Sequence, residues 1–164
     1  MEHLWVFNMS FYIQNKKLIS RKSIYNNLTV KSVPHNYTVK FTSKALNSKG
    51  FMKNQNNIFL IDGFIKKRYF KNLDKKFPVM TIHASEKNKN IETALKIINF
   101  FENKKVNKLN KVIVIGGGIL QDLGAFSCAM YKRGIPWIYL PTTLLGMTDS
   151  CVGGKTGLNY LNKK

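Results

Sequence analysis

Two hydrophobic periods alternate along this chain. Between residues 28 and 41, Leu28 and Val30 take every second position before Pro34-His35-Asn36, and Tyr37, Val39 and Phe41 do so after it. A period of two on both sides of a turn-forming triplet predicts a β-hairpin. NIFLIDGF and PVMTIHA are compact apolar runs that each predict a buried strand, the first delivering Asp62 at its carboxyl end. In SEKNKNIETALKIINFFENKKV the period changes: Ile91, Leu95, Ile98 and Phe101 recur at helical spacing with lysines and glutamates opposite, which predicts an amphipathic helix. KVIVIGG, ILQDLGAFSCAMYKRG and IPWIYLP then predict strand, helix and strand. SKALNSKG suits a short helix closed by Gly50, and no element is assigned to residues 1–27, a basic segment whose order the pattern leaves open.

Alternating strands and helices argue for an α/β fold: a Rossmann-like parallel sheet with flanking helices, preceded by the hairpin. Its expected extent is residues 28–164, and 164 residues in all suit one domain with a real core. Right-handed crossovers set the carboxyl ends of the strands along one edge, where ligands of such folds gather.

Composition narrows the partners. Hydrophobic residues at 44% and aromatics at 12% exclude a disordered or collagen-like chain. The formal charge of +19 comes from 27 basic and 8 acidic side chains, a balance that ordinarily points to nucleic acid or an anionic membrane. Here the excess is nearly all lysine, scattered with asparagine from Lys16 to Lys111, whereas an RNA reader interleaves arginine with exposed aromatics. The lysines therefore read as a solvated face, and no nucleic acid is assigned as a partner. No window approaches the roughly 18 apolar residues of a membrane span. In the opening MEHLWVFNMSFYIQNKK, Glu2 precedes the apolar stretch and Asn8 and Ser10 interrupt it, unlike a signal peptide. A cytoplasmic chain with no membrane partner is expected. Cys128 and Cys151 show no CxxC spacing, and His3, His35 and His83 lie far apart, so no metal site is read in this chain.

The candidate chemistry begins at Gly116-Gly117-Gly118. Glycines there let the backbone turn sharply after a strand and approach a bound group, while the next helix aims unpaired N–H groups at the same space. A dinucleotide pyrophosphate suits such a place; a βα turn with no ligand is the other reading. Gln121 replaces the third glycine of a GxGxxG pattern. Downstream follow Arg133, Pro141-Thr142-Thr143, Asp149-Ser150, a double glycine and Lys155 in a stretch otherwise poor in charge. Hydroxyls, a carboxylate, a guanidinium and an ammonium gathered there look like a phosphate and polyol site.

These residues closely resemble the 3-dehydroquinate synthase family, whose members carry in order a GGG-x-x-x-D turn, an RG, a PTTLL, a DS, a GGKTG and a further lysine. In this chain they read Gly116-Gly117-Gly118 with Asp122, Arg133-Gly134, Pro141 to Leu145, Asp149-Ser150, Gly153 to Gly157, and Lys164. Upstream, Glu86 and Lys89 are similar to the family's Glu-x-x-Lys-x-x-Glu-Thr stretch, and Asp62 to its early strand-end aspartate. The resemblance covers about residues 28 to 164.

The resemblance implies a lyase that binds NAD and a divalent metal, zinc or cobalt, and cyclises a seven-carbon keto-sugar phosphate. NAD oxidises a ring hydroxyl transiently, phosphate is eliminated, the ketone is reduced again, and the opened enolate closes by aldol addition. It implies that Gly116, Gly117, Gly118 and Asp122 hold the pyrophosphate and ribose side of NAD, Asp62, Glu86 and Lys89 its adenosine half, and Thr142, Thr143, Leu145 and Ser150 lie beside it. Asp149, Lys155 and Lys164 would hold substrate groups next to the cofactor, and Arg133 would reach the substrate phosphate of a neighbouring subunit, which implies a homodimer. Local readings stand beside these: Thr142-Thr143 as a helix cap, Glu86-Lys89 as an i,i+3 surface pair, Asp62-Gly63 as a plain turn, and Lys155 and Lys164 as solvated lysines.

Gln121 stands where the family usually has glycine, which leaves room for a relative cyclising another sugar phosphate, of the amino-substituted quinate, valiolone or inosose type. The family's metal-binding glutamate and histidines sit in a mostly helical second half that has no counterpart here. The expectation is therefore the amino-terminal, NAD-binding half of a longer enzyme, inactive as a cyclase by itself. A stand-alone dinucleotide-binding module is the competing expectation.

Overall fold

The computed structural model describes residues 3–6, 10–13, 16–19, 27–31, 36–41, 51–52, 54–150 and 156–160. Its strands are β1 (His3–Val6), β2 (Ser10–Ile13), β3 (Lys16–Ile19), β4 (Asn27–Val30), β5 (Tyr37–Phe41), β6 (Asn57–Asp62), β7 (Val79–Ile82), β8 (Lys111–Gly116) and β9 (Trp137–Pro141). The helices α1 (Gly63–Tyr69), α2 (Ile91–Asn103) and α3 (Gly118–Met130) each join one strand of the second half to the next. One sheet runs in the order β4-β5-β1-β9-β8-β6-β7, and β2 pairs with β3 separately. Only the β4–β5 pair of the large sheet is antiparallel. The fold is the expected parallel sheet with flanking helices and a hairpin.

Between polar ends at Asn57, Asp62 and Lys111, the runs of β6, β8 and β9 are apolar because both faces of the sheet are covered. Ile58, Leu60, Val112, Val114 and Tyr139 pack with Ala94, Ile97 and Phe101 of α2 and Leu120, Leu123 and Cys128 of α3. The alternate residues Phe59, Ile61, Ile113, Ile115, Ile138 and Leu140 pack on the other face with Leu73 and Phe77, and Ile65 of α1 joins them. Each fully buried Leu or Ile stabilises by roughly 1.5–3 kcal/mol, so these two layers hold the strands whose ends carry the site.

One expectation is corrected. The buried stripe of α2 is Ala94, Ile97 and Phe101, with Ile91 and Ile98 at its edge, whereas Leu95 is 51% exposed. Ala94 went unread because a small residue marks an apolar face weakly, yet its fit under α3 lets Ser127 Oγ donate to the Ala94 carbonyl. Residues 1–27 had no element assigned; they contain β1, β2 and β3, and β1 lies in the large sheet between β5 and β9. The expected helix in SKALNSKG, the Pro34-His35 part of the hairpin turn, Cys151, Lys155 and Lys164 lie outside the described residues. Among the described residues no helix is long and apolar enough to cross a membrane.

Candidate functional site

Strand order fixes where the site lies. From β6 the chain runs through α1 to β7 on one side, and from β8 through α3 to β9 on the other, while β6 and β8 are neighbours. Helices α1 and α3 cover opposite faces. The connections therefore diverge at the carboxyl ends of β6 and β8, and divergence opens a crevice there. Asp62 ends β6 and Gly116-Gly117 ends β8, so the two motifs meet at this point.

The glycine turn is built for close approach rather than for left-handed backbone. Gly117 is extended, at φ −86° and ψ −170°, and caps α3 without a side-chain hydrogen bond. A Cβ on Gly116 would lie 2.8 Å from Leu120 Cδ2, and one on Gly117 would lie 3.0 Å from Thr143 Cγ2. The Gly116 carbonyl accepts from Thr142 N at 2.9 Å and from the buried Tyr139 hydroxyl at 3.1 Å. These bonds fasten the turn after β8 to the turn after β9. Gly117 offers no side-chain acceptor to the first amides of α3, and such a helix end favours negative charge.

The loop after β9 carries the local reading of its threonines. Thr143 Oγ1 accepts from Gly146 N at 3.1 Å, and Met147 N donates to the Thr143 carbonyl at 3.0 Å. Thr143 is thus a cap that also faces Gly117, so packing and site position coincide in one side chain. A π-helical turn, Gly146–Ser150, follows; Asp149 is exposed and Ser150 half-buried. Leu145 is 67% exposed beside it.

Glu86 and Lys89 sit in the loop after β7 and each reaches beyond its own turn. Lys89 Nζ pairs with Asp122 Oδ2 of α3 at 2.5 Å, with only 18% and 14% of the two side chains exposed. Glu86 Oε1 accepts from Asn159 Nδ2 at 3.0 Å, while Asn159 N donates to the Lys89 carbonyl at 2.8 Å. Residues after the second double glycine therefore return to this loop, pairing Asn159 with Asn90. Asp62 Oδ1 accepts from Phe64 N at 2.9 Å and Ile65 N at 3.1 Å, capping α1. Arg133 stands apart at the far end of α3, where Lys132 and Arg133 have φ of 47° and 61° and Gly134 follows at 97°. Tyr131 Oη on Glu102 Oε2 at 2.7 Å and Lys132 Nζ on the Val106 carbonyl at 3.0 Å hold that bend.

Asp62, Glu86, Lys89, the triple glycine, Asp122, Thr142, Thr143, Leu145, Asp149 and Ser150 thus all lie along the carboxyl edge of the sheet or on the helices that leave it. Three contributors were missed from sequence. By sequence Tyr139 is one more member of an apolar strand, Gln121 is a departure from a motif, and Asn159 carries no signal of its own. Gln121 is 3% exposed, its Nε2 donates to the Ser150 carbonyl, and its Oε1 has no partner. Ser150 Oγ and Asn159 Oδ1 are likewise buried without partners. Among the described residues no three His, Cys, Asp or Glu side chains come together as a metal site.

Comparison with known proteins bears on the family and the fold. A family model described as 3-dehydroquinate synthase N-terminal matches residues 79–164. The 3-dehydroquinate synthase of Pelagibacter ubique is 36% identical over 147 residues, 87% of this chain and 40% of the relative. That of Campylobacter jejuni is 41% identical over 85 residues, 52% of this chain and 24% of the relative. These two relatives are thus spanned over only 24% and 40% of their length. Among solved structures, the 2-epi-5-epi-valiolone synthase of Streptomyces hygroscopicus, with NAD+ and Zn2+ bound, superposes with a TM-score of 0.61 at 28% identity, covering 71% of this chain and 34% of that one. A 2-deoxy-scyllo-inosose synthase complexed with carbaglucose-6-phosphate, NAD+ and Co2+ shares the fold at a TM-score of 0.68 and 20% identity, over 84% of this chain and 40% of that one. Motifs in register, a glycine turn at the divergence of the sheet, and a family model over more than half of the residues lead to one statement: the chain belongs to the 3-dehydroquinate synthase family, of which it carries the amino-terminal part.

Proposed function

We propose that this chain is the NAD-binding part of a 3-dehydroquinate synthase, a phosphate-eliminating lyase that cyclises a seven-carbon keto-sugar phosphate. The observation that carries it is the uncapped amino end of α3 behind Gly116-Gly117, set where β6 and β8 diverge. The residues present fit a dinucleotide: the turn has no Cβ to fill it, and Gln121 Oε1 and Ser150 Oγ are buried polar atoms lacking partners. When bound, NAD supplies a hydride acceptor and returns the hydride later.

In this reading the amides of Gly118 and its successors bind the pyrophosphate. Asp62, whose amide bonds both fall on Oδ1, offers Oδ2 to a ribose hydroxyl. Lys89 and Asp122, already paired, brace the loop after β7 against α3, with Glu86 beside them. Thr142, Thr143 and Leu145 line the nicotinamide side. Asp149, Lys155 and Lys164 hold substrate hydroxyl and carboxylate groups, a task for one acceptor and fixed cations. Arg133, presented by a left-handed bend, reaches the substrate phosphate of a second copy in a homodimer. The divalent metal, zinc or cobalt, belongs with residues of the relatives' remaining length.

A second reading, a cyclase of another sugar phosphate, is favoured by Gln121 in place of glycine and by the likeness to the valiolone synthase. Isothermal calorimetry of NAD into the folded chain tests the proposal. Uptake with one site per chain is expected; no uptake by well-folded protein refutes it. Phosphate release from the seven-carbon substrate with added NAD and zinc is expected to stay at background, and turnover would show that the site is complete.

A further inference from the structure

Gln121 lies three residues after Gly118, so the two share one face of α3. The Gly146–Ser150 turn rests on that face: a Cβ on Gly118 would be 3.6 Å from Ser150 Oγ, and Gln121 Nε2 donates to the Ser150 carbonyl. The turn is also held by packing, with Met147 against the hydrophobic core and Gly146 buried beside the Tyr139 hydroxyl. Gly146 N and Met147 N bond back to Thr143 in the same loop, and Thr148 Oγ1 bonds the Leu144 carbonyl. These are local bonds, whereas the Gln121 bond spans 29 residues and joins the turn to the helix.

We propose that Gln121 is a positioning residue that holds the Gly146–Ser150 turn, and Asp149 with it, against the amino-terminal turn of α3 so that both line one cofactor slot. The assignment rests on the NAD-binding reading above. A donor is required at this position, because the Ser150 carbonyl can only accept. A buried polar side chain with one atom bonded and the other unpartnered is costly to keep, which fits a residue whose second atom, Oε1, faces a ligand donor once the slot fills. Ser150 Oγ, unpartnered and buried beside it, is the second such atom.

Gln121→Met keeps the side chain's length and removes the donor; Gln121→Glu keeps its shape and donates only when protonated. The full chain, the Met variant and the Glu variant are to be compared by NAD calorimetry between pH 5 and 8, and by hydrogen exchange of the amides from Met147 to Ser150 without NAD. Gln121→Met is expected to speed exchange in that turn and to weaken NAD by roughly tenfold, the size of one lost hydrogen bond with an unsatisfied partner. Gln121→Glu is expected to show a similar deficit at pH 8 that shrinks as pH falls, a recovery that a purely space-filling role would not give. Unchanged exchange in the Met variant, or a Glu-variant deficit constant across pH, overturns the proposal. Failure of the unsubstituted chain to take up NAD would strike the functional reading instead, and the exchange comparison would still decide whether the tether exists.

Discussion

Gly124 sits at the middle of α3 against β8, and replacing it with alanine sets two effects of known sign against each other. Helix propensity favours alanine by about 1 kcal/mol. Sterics oppose it: the new Cβ would lie 2.8 Å from Val114 Cγ2 and 3.2 Å from Val114 Cγ1. Val114 is fully buried in a strand paired on both sides, so it has nowhere to move and α3 must lift instead. Overpacking a tight core costs about 1–3 kcal/mol, which outweighs the propensity gain. The expected net loss is about 1 kcal/mol, or about 2–4 °C in Tm for a chain of this size. Scanning calorimetry of Gly124→Ala measures it, and the same substitution in a Val114→Ala background provides the control. There the overlap vanishes, and Gly124→Ala is expected to be neutral or stabilising. A Tm increase for Gly124→Ala alone would refute the claim that Val114 leaves no room for a Cβ at Gly124.

Further outcomes follow from single contacts. Lys89→Met or Asp122→Leu alone leaves a mostly buried charge unpaired and is expected to destabilise by about 2–3 kcal/mol, somewhat below the value for a fully buried pair; the double variant is expected to lose less than the two added, and strict additivity in urea titrations would show that the pair is not formed. Gly117→Val drives a branched side chain toward Thr143, 3.0 Å from the first added carbon, so NAD uptake is expected to fall at least tenfold with a small change in Tm; equal affinity would remove the turn from the site. Burial, then the hydrogen bond to the Glu102 carboxylate, hold the Tyr131 hydroxyl above its ordinary 10.0. The unfolded chain therefore loses this proton first, so the stabilisation is complete below about pH 10 and is lost as pH rises through the folded value. Tyr131→Phe is expected to show a shallower alkaline decline in thermal stability, and an unchanged slope would contradict the burial argument.

Periodicity alone carried the second half of the fold. The runs at β6, β8 and β9 and the stripe of α2 are strong signals because a covered strand must be apolar at every position and a covered helix along one face. The exceptions have physical causes. Leu95 reads as core by spacing but points outward, since the face of α2 against α3 is set by the small Ala94, whose carbonyl Ser127 contacts. β1 joins the sheet through pairing with β5 and β9, and strand pairing between distant segments leaves no local trace in four residues.

The site divides in the same way. The glycine turn, Asp62 and Thr143 were legible as local features because turns and caps demand particular residue types at short range. The tether from Gln121 to Ser150, the return of Asn159 to Glu86 and the Lys89–Asp122 pair were not, because each joins residues far apart in the chain. What the sequence alone determined is local: which stretches are strands and helices, and which turns have no side chain in the way. The order in which the strands stand was decided only by the tertiary structure, since packing helices on both faces of one sheet sends the connections of β6 and β8 opposite ways and so opens the crevice between them.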